Sequence, residues 1–158
     1  MIYFTRIDTH VGKLLAVKDQ NILTQIYFPE KNKSHVPDPL WKYDNTKFSK
    51  EIREISDYFA GKLKKFSNIV IPKGTGFQQK VWKALLEIPY GATCSYQEIA
   101  EAAGSPKACR AAGSALNKNP LPIMIPCHRV IGKNGSLTGF GGGLPLKKYL
   151  LELEQKFL

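Results

Sequence analysis

The sequence predicts a two-part chain, an α/β unit over residues 1–72 followed by a mostly helical unit over residues 73–158. Three observations carry that prediction. The first third consists of short β-rich runs joined by turn residues, the pattern of an antiparallel meander. From Thr75 onward, apolar residues recur at helical spacing behind candidate N-caps. At 158 residues the chain can fill one compact domain or two small ones with a real core.

The elements follow in order. "MIYFTRI", "KLLAVKD" and "ILTQIYFP" read as strands, separated by turns at "DTHVG" and "QN". "KNKSHVPDP", residues 31–39, is polar and proline-bearing and reads as loop. In "TKFSKEIREISDYFAG", Phe48, Ile52, Ile55 and Phe59 recur at helical spacing, and Gly61 is a stop signal. "KLKKFSNIVIPKG" reads as a short linker with one apolar, strand-like piece. Thr75 is a candidate N-cap for a helix with Phe77, Val81, Trp82 and Leu85 on its apolar stripe, ended by "PYG" at 89–91. Ser95 and Glu98 have capping-box spacing, and Gly104 closes that helix. Ser105 as N-cap and Pro106 at the first helical position open the next, so the pair reads as a helix-turn-helix. "PLPIMIP" reads as extended, "GKNGSLTG" as a turn or hairpin, "FGGG" as a flexible run and "LPLKKYLLELEQKF" as a final helix.

Charge is placed unevenly. The formal net charge is +10, and between Glu101 and Glu152 there is no Asp or Glu. That stretch holds Lys107, Arg110, Lys118, Arg129, Lys133, Lys147 and Lys148. One-signed segments of this kind favour a polyanionic partner over a merely basic surface. The second helix of the pair is nearly stripped of side chains: Ala108, Cys109, Ala111, Ala112, Gly113, Ser114 and Ala115 surround a lone Arg110. A helix with full side chains is about 10–12 Å across, and the minor groove of B-DNA is only about 6 Å wide. Such a face suits close approach to a narrow groove, or equally to a neighbouring backbone. No apolar run is long enough for a membrane span, and the N-terminus lacks a signal-peptide layout, so an intracellular, cytoplasmic location is expected (nuclear in a eukaryotic cell).

The cysteines Cys94, Cys109 and Cys127 are odd in number and irregularly spaced, against a disulfide framework. There is no C-x-x-C pair and only three histidines, so no metal site is expected. Cys127 lies beside His128 in "IPCHRVIG" and is a candidate nucleophile or a buried structural thiol. His128, Arg129 and a folded-back Lys147 would lower its pKa, and Glu152 or Glu154 would orient His128, a Cys-His-acid set. On an extended chain Cys127 and His128 point to opposite faces, so they meet only through a backbone turn or a bridging water.

"NPLPIMIPCHRVIG" resembles the active-site signature of the O6-alkylguanine-DNA alkyltransferases (methylated-DNA–protein-cysteine methyltransferases). The flanking segments "TGFQQKVWKALLEIPYGATCSYQEIAEAAGSPKACRAAGSALNKNP" and "GGLPLKKYLLELE" resemble the same family, so the likeness covers residues 72 to 156. It implies a ribonuclease-H-like antiparallel sheet with a helix in residues 1–72 and a winged helix-turn-helix-like domain in residues 73–158 that binds DNA and transfers the alkyl group. It implies that Cys127 accepts the alkyl group, that His128 acts through a water as its base, and that Glu154 rather than Glu152 orients His128. Asn119 would link the recognition helix to the active-site strand, Tyr96 would help rotate the nucleotide out, and Lys147 would lie near the reacting oxygen. Arg110 would enter the stack in place of the base, with Lys107, Ala108, Ala111, Gly113 and Ser114 along the DNA-facing helix. Pro122, Val130, Phe140 and Gly141 would line the substrate pocket. The implied partner is double-stranded DNA met through the minor groove by a monomer, with no cofactor. At Phe140 and Gly141 the chain departs from family members that carry Tyr and a small polar or alanine residue, which would admit bulkier alkyl groups if the glycine loop is flexible. A non-catalytic DNA-binding protein and a thiol hydrolase are the competing readings of the residues.

Overall fold

The computed structural model describes residues 1–29 and 35–158, which divide into two units, Met1–Val70 and Ile71–Leu158. In the first, β1 (Ile2–Thr9), β2 (Gly12–Asp19) and β3 (Ile22–Tyr27) form the expected antiparallel meander. A two-residue strand, β4 (Lys42–Tyr43), joins the other side of β1 in parallel, giving the sheet order β3-β2-β1-β4. The sheet is therefore mixed and not purely antiparallel. Tyr43 sits edge-on to Phe4, its ladder partner, with ring centroids 5.7 Å apart, a cross-strand aromatic pair that supports so short a strand.

Helix α1 (Ser49–Phe59) follows a 3-10 turn over Asn45–Phe48 and buries Ile55, Tyr58 and Phe59. Gly61, at φ 76°, supplies the left-handed residue that ends it. Lys18 of β2 ties the sheet to this helix, its ammonium 3.0 Å from Glu51 and donating to the Lys47 carbonyl at 2.8 Å. The strand-like piece expected in the linker after α1 forms no strand: Val70 stays exposed, and Asn68 turns the chain with φ 53°. Of the loop expected at 31–39, residues 31–34 lie outside the described residues.

The second unit contains α2 (Gly76–Leu86), β5 (Cys94–Ser95), α3 (Tyr96–Ala102), α4 (Cys109–Asn117), β6 (Val130–Ile131) and α5 (Leu144–Lys156). Thr75 and Gln78 close a full capping box on α2, and Ser95 and Glu98 close one on α3. Gly104, at φ 81°, turns the chain from α3 towards α4. The Trp82 indole donates to the Ala115 carbonyl at 3.0 Å, fixing α4 against α2 with both groups buried.

Two sequence expectations fail here. Helix α4 begins at Cys109, and Ser105 is not its N-cap. Ser105–Ala108 forms a separate turn closed by Ala108 N donating to Ser105 O at 2.9 Å, with Pro106 at the second position, where its fixed φ is equally at home. Nor is "PLPIMIP" extended. It folds back through a turn in which Ile125 N donates to Leu121 O at 2.9 Å, and Ile123 takes φ 75°. Among the described residues no helix is long and apolar enough to cross a membrane.

Candidate active site and nucleic-acid interface

Cys127, His128 and Arg129 occupy a single 3-10 turn, so the backbone turns where the sequence left open whether it would. Strand β6 continues from this turn and pairs in parallel with β5, Val130 against Cys94 and Ile131 against Ser95. The pairing brings the start of α3, and with it Tyr96, beside the segment that follows Cys127.

The turn is stripped of solvent. His128 is 0 % exposed and Glu154 1 %, while Cys127 is 7 % exposed. His128 Nε2 lies 2.6 Å from Glu154 Oε2. Arg129 flanks the same carboxylate, Nε donating to Oε1 at 2.8 Å and Nη2 to Oε2 at 3.1 Å, and its Nη1 donates to the Ile88 carbonyl at 2.7 Å. The backbone N–H of Gly91 donates to Glu154 Oε1 at 3.1 Å. A carboxylate with this many donors is fixed in place and negatively charged, so the hydrogen it shares with His128 resides on Nε2. His128 Nδ1 is then the acceptor nitrogen, and it has no hydrogen-bond partner among the described residues. Burial lowers the pKa of His128 against the raising pull of Glu154, which keeps the imidazole neutral at neutral pH. Glu152, the other acid on α5, points to solvent and sits 3.8 Å from Lys148.

Burial also pushes the Cys127 thiol up, to about 11, against the lowering influence of Asn119, Lys147 and two backbone donors. This reverses the expected lowering: Arg129 spends its charge on Glu154, and desolvation outweighs what remains. The resting thiol is neutral, so a reaction at sulfur needs a base. Burial has the same effect on Cys94, also raised to about 11.

Asn119 spans the fold-back before the turn. Its Oδ1 accepts from Leu121 N at 3.0 Å and its Nδ2 donates to Ile125 O at 2.8 Å. Lys147, 1 % exposed on α5, donates to the Val130 carbonyl and to the Thr138 carbonyl, the latter at 2.8 Å. Pro122 and Val130 are buried, the former bridged to Ile125. Phe140 and Gly141 lie in the loop before α5, where Gly143 N donates to Phe140 O at 2.9 Å.

On α4 the buried residues are Ala112, Ala115 and Leu116. Arg110, Ala111 and Ser114 are exposed along the opposite face, with Lys107 exposed in the turn before it; Ala108 and Gly113 are half-buried. The outward face is therefore short, small and cationic. The Tyr96 ring stands beside Gly113, where a Cβ would meet it at 3.8 Å.

Comparison with known proteins bears on this geometry. The family described as "6-O-methylguanine DNA methyltransferase, DNA binding domain" matches residues 76–156, and its "ribonuclease-like domain" matches residues 2–72. The chain belongs to the 6-O-methylguanine DNA methyltransferase family. A methylated-DNA–protein-cysteine methyltransferase of Methanosarcina acetivorans is 46 % identical over 154 residues, covering 97 % of this chain and 98 % of its own. The crystal structure of the Mycobacterium tuberculosis O6-methylguanine methyltransferase superposes with a TM-score of 0.90 at 44 % identity, covering 100 % of this chain and 95 % of its own. The same Mycobacterium tuberculosis protein in complex with DNA gives a TM-score of 0.90 at 44 % identity, covering 98 % and 94 %. The ribonuclease-like and DNA-binding folds expected of the two halves are those of this family.

Three residues of the site escaped the sequence reading. Arg129 stood out as a charge near the thiol, whereas it grips Glu154. Gly91, read as a helix breaker, also donates to that carboxylate. Thr138 had no signal at all; its hydroxyl donates to the Tyr96 phenol oxygen at 2.8 Å, across 42 residues of sequence.

Proposed function

We propose that the protein repairs double-stranded DNA by moving an alkyl group from O6 of guanine to its own Cys127. The observation that carries this reading is a neutral histidine, gripped by Glu154 at Nε2 and without a partner at Nδ1 among the described residues, one residue from a buried thiol in the unit that presents a small cationic helix. Residues 73–158 perform binding and transfer, and residues 1–72 form the separate α/β unit. The protein acts as a monomer in the compartment that holds the chromosome, the cytoplasm, or the nucleus of a eukaryotic cell.

The exposed face of α4 is narrow enough for the minor groove, with Lys107 and Arg110 supplying positive charge and Ala108, Ala111, Gly113 and Ser114 permitting close approach. Sulfur must approach the alkyl carbon in line with the C–O6 bond, which the base stack blocks, so the nucleotide is extruded. Tyr96 assists that rotation and Arg110 enters the vacated stack. The flipped base lodges among Pro122, Val130, Phe140 and Gly141.

In the transfer, a lone pair on Cys127 Sγ forms the C–S bond as the C–O6 bond breaks, and its electrons pass to guanine. The thiol proton goes through a bridging water to His128 Nδ1, and Glu154 stabilises the imidazolium that results. Hydrogen bonding or protonation of the departing guanine by Tyr96 or Lys147 completes the exchange of thiol and alkylated base for thioether and guanine. Asn119 holds the fold-back that aims the thiol. A thioether has no easy return to thiol, so each chain acts once.

The test is intact mass after mixing with excess duplex containing O6-methylguanine, followed by peptide mapping. One methylene gained per chain on Cys127 supports the reading. Unchanged mass with lesion binding intact replaces it with a non-catalytic binder, and turnover of a soluble ester beyond one equivalent replaces it with a thiol hydrolase.

A further inference from the structure

Thr138 is the one residue that touches both Tyr96 and Lys147 through hydrogen bonds among the described residues. Its carbonyl accepts from Lys147 Nζ at 2.8 Å, and the same ammonium is bonded to the carbonyl of Val130, three residues beyond Cys127. Its hydroxyl donates to the Tyr96 phenol oxygen at 2.8 Å. The Tyr96 ring in turn stands against Gly113 of α4. A continuous path therefore runs from the outward helix to the nucleophile's turn: Gly113, the Tyr96 ring, the Thr138 side chain, the Thr138 backbone, Lys147 and Val130.

The two ends of Thr138 are differently anchored. Lys147 is almost wholly buried and has spent two of its three hydrogens on carbonyls, so it fixes the Thr138 backbone to α5 and β6. The side chain reaches out to a half-buried tyrosine at the start of α3. Direction matters at that contact. Either hydroxyl can donate across this contact, and when the threonine hydroxyl does so the phenol oxygen accepts and the phenol's own hydrogen is available for another acceptor. A hydroxyl that already accepts a hydrogen bond becomes a stronger donor, since successive bonds polarise one another.

We propose that Thr138 is a positioning residue for the alkyl transfer, acting through Tyr96: it aims the phenol and strengthens it as a donor to the extruded base. The inference rests on the transfer reading above. It assigns Thr138 no contact with the base. Its effect belongs to the chemical step, where charge develops on the departing guanine, and not to the capture of DNA.

The experiment measures the single-turnover transfer rate and the duplex affinity on O6-methylguanine DNA for wild type, Thr138→Val, Thr138→Ser, Tyr96→Phe and the Thr138→Val/Tyr96→Phe pair. Valine keeps the shape and removes the hydroxyl; serine restores it. Thr138→Val should slow transfer about five- to tenfold, the value of one hydrogen bond, with duplex affinity unchanged. Thr138→Ser should recover most of that loss. In the Tyr96→Phe background the valine change should have almost no effect, because the oxygen it serves is gone. Equal rates for Thr138→Val and an active wild type overturn the proposal alone. So does an undiminished loss in the Tyr96→Phe background, which assigns Thr138 to loop stability. A wild type that takes up no methyl group removes the transfer reading itself.

Discussion

His128 and Glu154, 26 residues apart, meet at 2.6 Å in a site where neither side chain is more than 1 % exposed, and Arg129 grips the same carboxylate from its other flank. The carboxylate thus serves two partners: it fixes the imidazole through Nε2, leaving Nδ1 as the acceptor nitrogen, and it neutralises a buried guanidinium.

Glu154→Gln separates those duties. The amide fills the same space but carries no charge, so Arg129 is left buried without a counter-ion and the developing imidazolium without support. Breaking a buried ion pair from one side costs about 3–5 kcal/mol. We expect a loss of stability near the lower end of that range, because Arg129 keeps its bond to the Ile88 carbonyl, and a fall in transfer rate of at least about a hundredfold. Urea unfolding and single-turnover transfer measure the two. A variant that loses stability but transfers at the wild-type rate would deny Glu154 any part in the chemistry.

The pH dependence follows from His128. Its pKa in the folded protein lies below the ordinary 6.5, with burial as the cause. If His128 is the base, it is already neutral at pH 7, and transfer should stay level as pH falls to 6.5 and decline only below it. Stability has the same sign: the unfolded chain takes up the proton first, so the contribution of a neutral His128 is intact above 6.5 and is lost as pH falls through the folded value. With His128→Gln the base is gone and the thiol sits near 11, so the residual rate should climb with pH towards that value instead of levelling off. Rate profiles of the two proteins over the same pH range check this; a level profile for His128→Gln removes His128 as the base.

Which of these features the sequence discloses depends on how local their causes are. The capping boxes at Thr75 and Ser95 are legible because every partner lies within three residues. Ser105-Pro106 misleads for the same reason: a serine before a proline suits a helix start and a turn equally, and the bond from Ala108 N to Ser105 O decides for the turn. The prolines of "PLPIMIP" argue for extension, but Asn119 bends the segment with bonds to Leu121 and Ile125. Spacing alone leaves Glu152 and Glu154 open. On α5, Lys147, Leu150 and Glu154 form one buried stripe, and Glu152 falls outside it; helical phase contains the answer once the buried face is known. The pairing of Thr138 with Tyr96 is set wholly by tertiary structure, and no local pattern announces it.

The outward face of α4 gives a prediction about size. Ala111 is exposed, so Ala111→Leu adds bulk without disturbing packing and should leave stability within about 0.5 kcal/mol. If the helix works by close approach to the minor groove, added carbon atoms hold it away from the duplex, and affinity should fall about tenfold or more. Fluorescence anisotropy with undamaged and O6-methylguanine duplexes, at one fixed salt concentration, measures it. Unchanged affinity would mean that this face does not enter the groove.

Asn119 yields the last prediction, because it supports a strained backbone. Ile123 holds φ 75°, a region β-branched residues rarely enter, at a cost of about 1–3 kcal/mol. The strain lies inside the fold-back that Asn119 clasps at both ends, and the same side chain favours ionisation of the Cys127 thiol against the effect of burial. Asn119→Ala removes both backbone bonds at once, about 2 kcal/mol of stability at about 1 kcal/mol each. Freed from the clasp, Ile123 can relax, and the thiol moves with the segment that carries it. Transfer should therefore fall by more than duplex affinity does, since the recognition helix ends before Asn119. Asn119→Asp is the sharper probe: it keeps the acceptor for Leu121 N, loses the donor to Ile125 O, and sets a negative charge beside a thiol that must lose its proton. Its transfer rate should lie below that of Asn119→Ala even though it retains one more backbone bond. A ranking in the opposite order would show that Asn119 serves the loop's shape and not the ionisation of Cys127.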